Sequence, residues 1–325
     1  MSRVFLKISR VPLLIALLAV VVAVTAHAKS EPPTVDPHKS SAVPLKTRNV
    51  ADQALFEWCN AVTLVIPQIK RKPCIAAGLN PVVTRSVQGR PLMVRDVPAK
   101  QITVGTKPIK VLLLGGIHGD ELTSPAIVFR WLERLNQPDA ATYHWRAVPV
   151  LNPDGLLAKP PTRVNANAVD LNRNFPTPGW EKEAPKYWEK VTKSDPRRYP
   201  GPSALSEPES RWLHSEMTAF APDVIVSVHA PYGVLDFDGP APGNKGTVVA
   251  PARFGRLVLT RVGVYPGSLG NFGGKHVGVP VVTLELPHAL NLPTEAELDH
   301  IWNDMLSWIQ RNVAKDTPPA TPPNS

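Results

Sequence analysis

Ile109-Lys110-Val111-Leu112-Leu113-Leu114-Gly115-Gly116, followed by Ile117-His118-Gly119-Asp120-Glu121, carries the clearest structural signal in the chain. Apart from Lys110, the first six residues are β-branched or Leu and stop at a glycine pair, the pattern of a strand buried on both faces. From Glu121 to Leu135 the apolar residues Ile127, Phe129, Trp131, Leu132 and Leu135 make a stripe, so a helix follows the strand. Outward from this unit the pattern repeats. Further strands are expected at Trp145–Leu151, Val224–His229, Gly246–Ala250 and Val281–Leu286, with helices at Pro208–Ala221 and Glu295–Asn312. A strand, turn and strand are expected around Ser86–Leu92. This alternation predicts an α/β, three-layer fold: a central mixed, largely parallel β-sheet flanked by helices. In such sheets ligands bind beyond the carboxyl ends of the strands, and His118, Asn152, His229 and Glu285 all fall there.

The ends of the chain read differently. Residues 1–28 combine a basic start, an apolar run from Val11 to Val24 and Ala26-His27-Ala28, the three parts of a signal peptide. An uncleaved anchor is the alternative; cleavage would leave no stable membrane anchor, and both put the folded part outside the cytoplasm, periplasmic or secreted. Residues 29–48 are rich in Pro, Ser and Lys and read as a disordered linker, as does the tail 315–325. Residues 49–81 read as a small helical segment capping a catalytic domain at 82–314. In an oxidising compartment the two cysteines, Cys59 and Cys74, are expected to pair; a zinc site from them is disfavoured by their spacing and the lack of a second pair. The net charge of +9 includes Arg3, Lys7 and Arg10 of the leader. The remaining basic residues are scattered, with no tract interleaved with aromatics, which argues against nucleic acid as a partner.

Four elements carry chemistry. His118 and Glu121 sit three apart in a turn and are ligand types that zinc takes, although a polar helix-capping turn reads the same way. Asp170-Leu171-Asn172-Arg173-Asn174-Phe175, with Arg163 and Asn165 before it, gathers guanidinium and amide groups suited to a carboxylate, or to a structural ion-pair loop. An apolar strand delivers His229 at its end. Another carries Glu285 inside Val281–Pro287, where an unpaired buried carboxylate would cost several kcal/mol.

In this order the four elements resemble the zinc metallocarboxypeptidase family, the carboxypeptidase A-like group: H-x-x-E, D-x-N-R-N-F, a strand-borne His, and a Glu within T-x-E-L, over Val82 to Asn312. The resemblance implies one Zn2+ per chain held by His118, Glu121 and His229, with Asp170 orienting the first histidine. It makes Glu285 the general base and Arg163 the oxyanion-stabilising arginine, while Asn172 and Arg173 grip the substrate's terminal carboxylate. Tyr265 is the candidate for the family's mobile tyrosine, at a different spacing. Leu151–Gly155, Arg163–Phe175, Tyr199–Pro202 with Ser206–Glu209, and Gly267–Phe272 resemble the bacterial murein peptide amidase-like branch. That branch implies hydrolysis of the bond between γ-D-glutamate and diaminopimelate in a peptidoglycan peptide. A carboxypeptidase for ordinary peptides and an inactive wall-binding protein are the alternatives. Asp236 and Asp238 are candidates for contacting diaminopimelate or are turn-forming surface acids, and Leu269 is a candidate pocket residue.

Overall fold

The computed structural model describes residues 50–102, 107–240 and 248–313. The expected leader (1–28), linker (29–48) and tail (315–325) lie outside the described residues. Along the chain run α1 (Val50–Val65), α2 (Arg71–Ala76), β1 (Asn80–Arg85), β2 (Pro91–Val97), β3 (Lys110–Leu114), α3 (Thr123–Leu132), β4 (His144–Val148) and α4 (Pro153–Leu156). They are followed by α5 (Trp180–Lys190), α6 (Pro208–Ala219), β5 (Val224–His229), β6 (Val234–Asp238), β7 (Arg253–Phe254), β8 (Leu257–Val258), β9 (Val281–Glu285) and α7 (Glu295–Asn312).

Seven strands form one sheet in the order β1-β2-β4-β3-β5-β9-β6. The central β4, β3, β5 and β9 are parallel, and the outer pairings β1–β2, β2–β4 and β6–β9 are antiparallel. The mixed, largely parallel sheet read from the sequence is therefore present. Alternation along β3 divides the core. Val111 and Leu113 join residues of α1, α3 and α7 on one face, while Leu112 and Leu114 meet Trp212, Leu213 and Met217 of α6 on the other. α7 buries Leu298, Ile301, Trp302, Met305 and Ile309, a stripe at helical spacing, and Thr294 caps it by accepting from Glu297 N.

The helical N-terminal segment shares the main core. Cys59 of α1 is disulfide-bonded to Cys74 of α2, and Trp58 packs against Phe129 of α3 with ring centroids 5.8 Å apart. Closing that loop contributes about 3 kcal/mol in the chain-entropy model.

Two expectations need correction. The strand expected at Gly246–Ala250 is absent over its described residues, 248–250; the Val249 carbonyl instead accepts from Trp308 Nε1 at 2.8 Å, and a short β7–β8 hairpin follows. Asp236 and Asp238 are not turn residues: both lie in edge strand β6, opposite Thr283 and Val281 of β9. α5 and a π-helical turn at Asn271–Val277 were not anticipated. No helix among the described residues is long and apolar enough to cross a membrane.

Candidate active site

Parallel pairing determines where the chemistry collects. β5 and β9 run side by side with His229 directly opposite Glu285, so two strand ends deliver an imidazole and a carboxylate to the same edge. The turn after β3 brings the third and fourth groups. Ser124, in the first turn of α3, donates to the Val228 carbonyl at 2.5 Å and accepts from Gly116 N at 2.9 Å, which ties this turn to β5. Gly119 lies so close to the Gly155–Leu156 backbone that any Cβ would collide with it.

The resulting cluster is dense. His118 Nδ1 is 2.7 Å from Glu121 Oε1, and His229 Nδ1 is 3.1 Å from Glu121 Oε2. Burial opposes ionisation of Glu121, but the two imidazoles outweigh it and hold its pKa below the usual carboxylate range. On its far nitrogen, His118 Nε2 is 3.1 Å from Asp170 Oδ1, which leaves Nδ1 facing the cluster. The other Asp170 oxygen accepts from Arg163 Nε at 3.0 Å, and Arg163 Nη1 is 3.5 Å from Glu121 Oε1. Burial of Asp170 is likewise outweighed, here by Arg163 and His118, so it stays ionised well below its ordinary range.

Among the described residues His118, Glu121 and His229 are the group able to hold a metal ion, with one ligand atom from each within 4.8 Å of the others. Two imidazole nitrogens and a carboxylate, with a carboxylate behind the first imidazole, suit zinc: three protein ligands leave a position open, and the outer carboxylate fixes ring orientation. Glu285 fits the same reading. One of its oxygens, Oε2, is buried without a hydrogen-bond partner among the described residues. Burial, with the Glu121 charge, raises the Glu285 pKa against the opposing histidines, which is how a carboxylate is tuned to take up a proton.

A cavity of about 530 Å³ opens over these groups. Arg173 enters it almost fully buried. Its Nη1 donates to the Asn172 carbonyl at 2.6 Å, its Nε has no partner among the described residues, and its guanidinium lies 4.5 Å from the centre of the Tyr265 ring. Asn172 Oδ1 accepts from Leu269 N at 2.8 Å, so Leu269 serves the site through its backbone; its side chain is buried in the second core and not in the cavity lining. Tyr265, Asp236 and Asp238 do line the cavity. Asp238 is pushed up to about 6 by burial and by Asp236 beside it, against the pull of Lys275, whose Nζ is 3.9 Å away. Asn152 is not in the lining: its side chain accepts from Gly155 N and donates to the Arg163 carbonyl, bracing that arginine.

Sequence reasoning missed the wall contributed by α5 and the turn after it. Tyr187, Arg197 and Arg198 line the cavity, and Arg197 Nη1 pairs with Asp120 Oδ2 at 2.7 Å. The available signal was the density of aromatic and basic residues between Trp180 and Tyr199.

A buried His-Glu-His cluster at the carboxyl edge of a largely parallel sheet, with a glutamate beside it that leaves one oxygen unpartnered among the described residues and with arginines in the cleft, defines a metal-dependent hydrolase. Comparison with known proteins makes this specific. The signature of the family described as zinc carboxypeptidase matches residues 80–235, which include His118, Glu121, Asp170 and His229 but not Glu285. The chain is 32% identical to murein peptide amidase A of Escherichia coli (strain K12) over 62% of its own length and 79% of the relative's. With murein peptide amidase A of Vibrio campbellii it shares 32% identity over 66% and 82% of the two chains. The fold is that of carboxypeptidase A from Helicoverpa armigera, with a TM-score of 0.55 at 17% identity, covering 80% of this chain and 72% of that one. The protein belongs to the zinc carboxypeptidase family and is a peptide hydrolase.

Proposed function

We propose that the protein is an exported carboxypeptidase that removes diaminopimelate from short peptidoglycan peptides, cutting its bond to γ-D-glutamate, with one zinc ion held by His118, Glu121 and His229. The observation that carries the reading is the pairing of opposite demands in one cavity. The buried guanidinium of Arg173 leaves its Nε without an acceptor among the described residues, while of the two buried acids Asp236 and Asp238 only Asp238 has an ion pair there, a long one of 3.9 Å to the half-exposed Lys275. Diaminopimelate brings a terminal carboxylate for the first and an ammonium group for the second. The likeness to murein peptide amidase A supports the same substrate class. The leader-like residues 1–28 support action outside the cytoplasm, on wall peptides.

Bound zinc would supply Lewis acidity, polarising the scissile carbonyl and bringing the pKa of water to about 7. Glu285, with its raised pKa, accepts the proton of the attacking water and returns it to the leaving amine. Arg163, kept charged by Asp170 and Glu121 despite burial, lies beside the metal ligands and stabilises the oxyanion. Asn172 and Arg173 hold the terminal carboxylate, which restricts cutting to the last residue. Asp170 keeps the His118 ring in place.

Incubation of the purified protein with L-Ala-γ-D-Glu-diaminopimelate, followed by mass spectrometry, tests the reading. Release of free diaminopimelate, abolished by a chelator and restored by zinc, is expected. Faster cleavage of all-L peptides with free C-termini would overturn the substrate assignment, and zinc binding without hydrolysis of any amide would overturn the reaction.

A further inference from the structure

Two arginines at the rim of the cavity have no part in the chemistry above. Arg197 and Arg198 lie in a 3-10 turn, Pro196–Arg198, that is firmly held. Asp195 Oδ1 accepts from Arg197 N, and the Asp195 carbonyl accepts from both Arg198 N and Trp188 Nε1. Consecutive residues of such a turn project about 120° apart, so the two guanidiniums face different parts of the cleft. Arg198 is directed to the carboxylate-gripping side. After burial and the opposing Asp170, its charge joins that of Arg163 in lowering the Arg173 pKa. Arg197 is directed instead to the metal-bearing turn, where it pairs with Asp120.

Asp120 lies between the metal ligands His118 and Glu121 in sequence, which fixes Arg197 beside the reacting centre. Its second oxygen, Oδ1, is buried with no hydrogen-bond partner among the described residues, so this carboxylate is committed to Arg197 through one atom only. The Arg197 side chain is 58% exposed, and a guanidinium has five donors, most of which a single ion pair leaves open to the cleft. Arg163 is engaged by Asp170 and Glu121, and Arg173 awaits the terminal carboxylate. Arg197 is thus placed to receive a second anionic group, apart from the one that Arg173 receives.

We infer that Arg197, positioned by Asp120, binds a carboxylate on the residue that supplies the scissile carbonyl, and so makes the enzyme selective for acidic acyl residues. The inference rests on the wall-peptide reading for its natural ligand: a γ-linked glutamate keeps its α-carboxylate free, three carbons from the carbonyl under attack. A neutral acyl residue offers nothing for this guanidinium.

The test compares kcat/KM for L-Ala-γ-D-Glu-diaminopimelate with that for the same peptide carrying D-isoglutamine, in which the α-carboxylate is a carboxamide. The wild-type zinc enzyme is expected to favour the carboxylate by about tenfold, the scale of one charge-assisted hydrogen-bonded contact. Arg197→Ala is expected to bring the ratio close to one, with Arg197→Lys intermediate, and Asp120→Asn to lower it by loosening the arginine. A wild-type ratio near one, or a ratio that Arg197→Ala leaves in place, overturns the inference while diaminopimelate release still upholds the substrate class. If neither wall peptide is cut but ordinary peptides are, the wall-peptide reading falls by itself. The ratio between α-glutamyl and α-glutaminyl acyl residues in those peptides then decides the role of Arg197 in the same way.

Discussion

Two sets of buried charged groups share one cavity and differ in how they are partnered. His118, Glu121, His229, Asp170 and Arg163 form a closed network in which each charge meets an opposite charge or an imidazole within 3.5 Å. Glu285, Arg173 and Asp238 are buried to a similar degree, yet among the described residues Glu285 and Arg173 each leave a polar atom without a partner, and the ion pair of Asp238 is a long one, 3.9 Å to Lys275. An unsatisfied buried polar group costs about 1–3 kcal/mol. The first set therefore holds its own geometry and is preorganised for a metal. The second set is costly to fold, and a ligand that supplies the missing partners offsets that cost.

The contrast separates what each set should do when mutated. Removing a group of the second set should abolish turnover without disturbing the metal. Glu285→Gln keeps shape but loses the proton acceptor, and a fall in kcat of about 1,000-fold is expected with bound zinc unchanged by elemental analysis. Loss of zinc together with activity would move Glu285 into the first set. Changes in the first set should act through the metal. Asp170→Asn removes the charge that faces both His118 and Arg163, and zinc affinity should fall by about 10- to 100-fold in a chelator competition. An unchanged affinity would mean that the network is held by packing alone.

Much of this arrangement was legible in the sequence because it depends on local patterns. The run Lys110–Leu114, the wholly buried Val224–His229 and the α7 stripe announce themselves by composition and period, and the ligands follow the first or end the second. Register was not legible: nothing in either strand alone says that His229 faces Glu285 across β5 and β9. Asp236 and Asp238 stood open between substrate contacts and turn acids because the alternation of Leu235-Asp236-Phe237-Asp238 is short and directly follows Pro231 and Gly233, which signal a turn. Arg197 was invisible for a different reason. Its significance comes from a long-range pair with Asp120, whose own position drew attention only as the spacer between two ligands.

The smallest effect concerns a third kind of buried acid, one that is hydrogen-bonded and lies outside the cavity. Glu209, fully buried in α6, accepts from Asn165 Nδ2 at 3.2 Å and Val87 N at 3.3 Å. Burial nonetheless raises its pKa to about 7, against these bonds. Because the folded pKa exceeds the ordinary carboxylate value, the proton stabilises the fold: that contribution is complete below about pH 4.5 and is lost as pH rises through about 7. The shift sets an upper limit of about 3 kcal/mol on the loss. Glu209→Gln removes the charge but adds N–H donors that need partners, so only part is recovered, about 1 kcal/mol. The variant should melt about 2–4 °C above the wild type at pH 8 and below it at about pH 4.5, where protonated Glu209 has regained its whole contribution and the glutamine has not. A difference that does not change with pH would show that Glu209 acts through its hydrogen bonds alone, and that burial by itself does not set it apart from the acids that face the substrate.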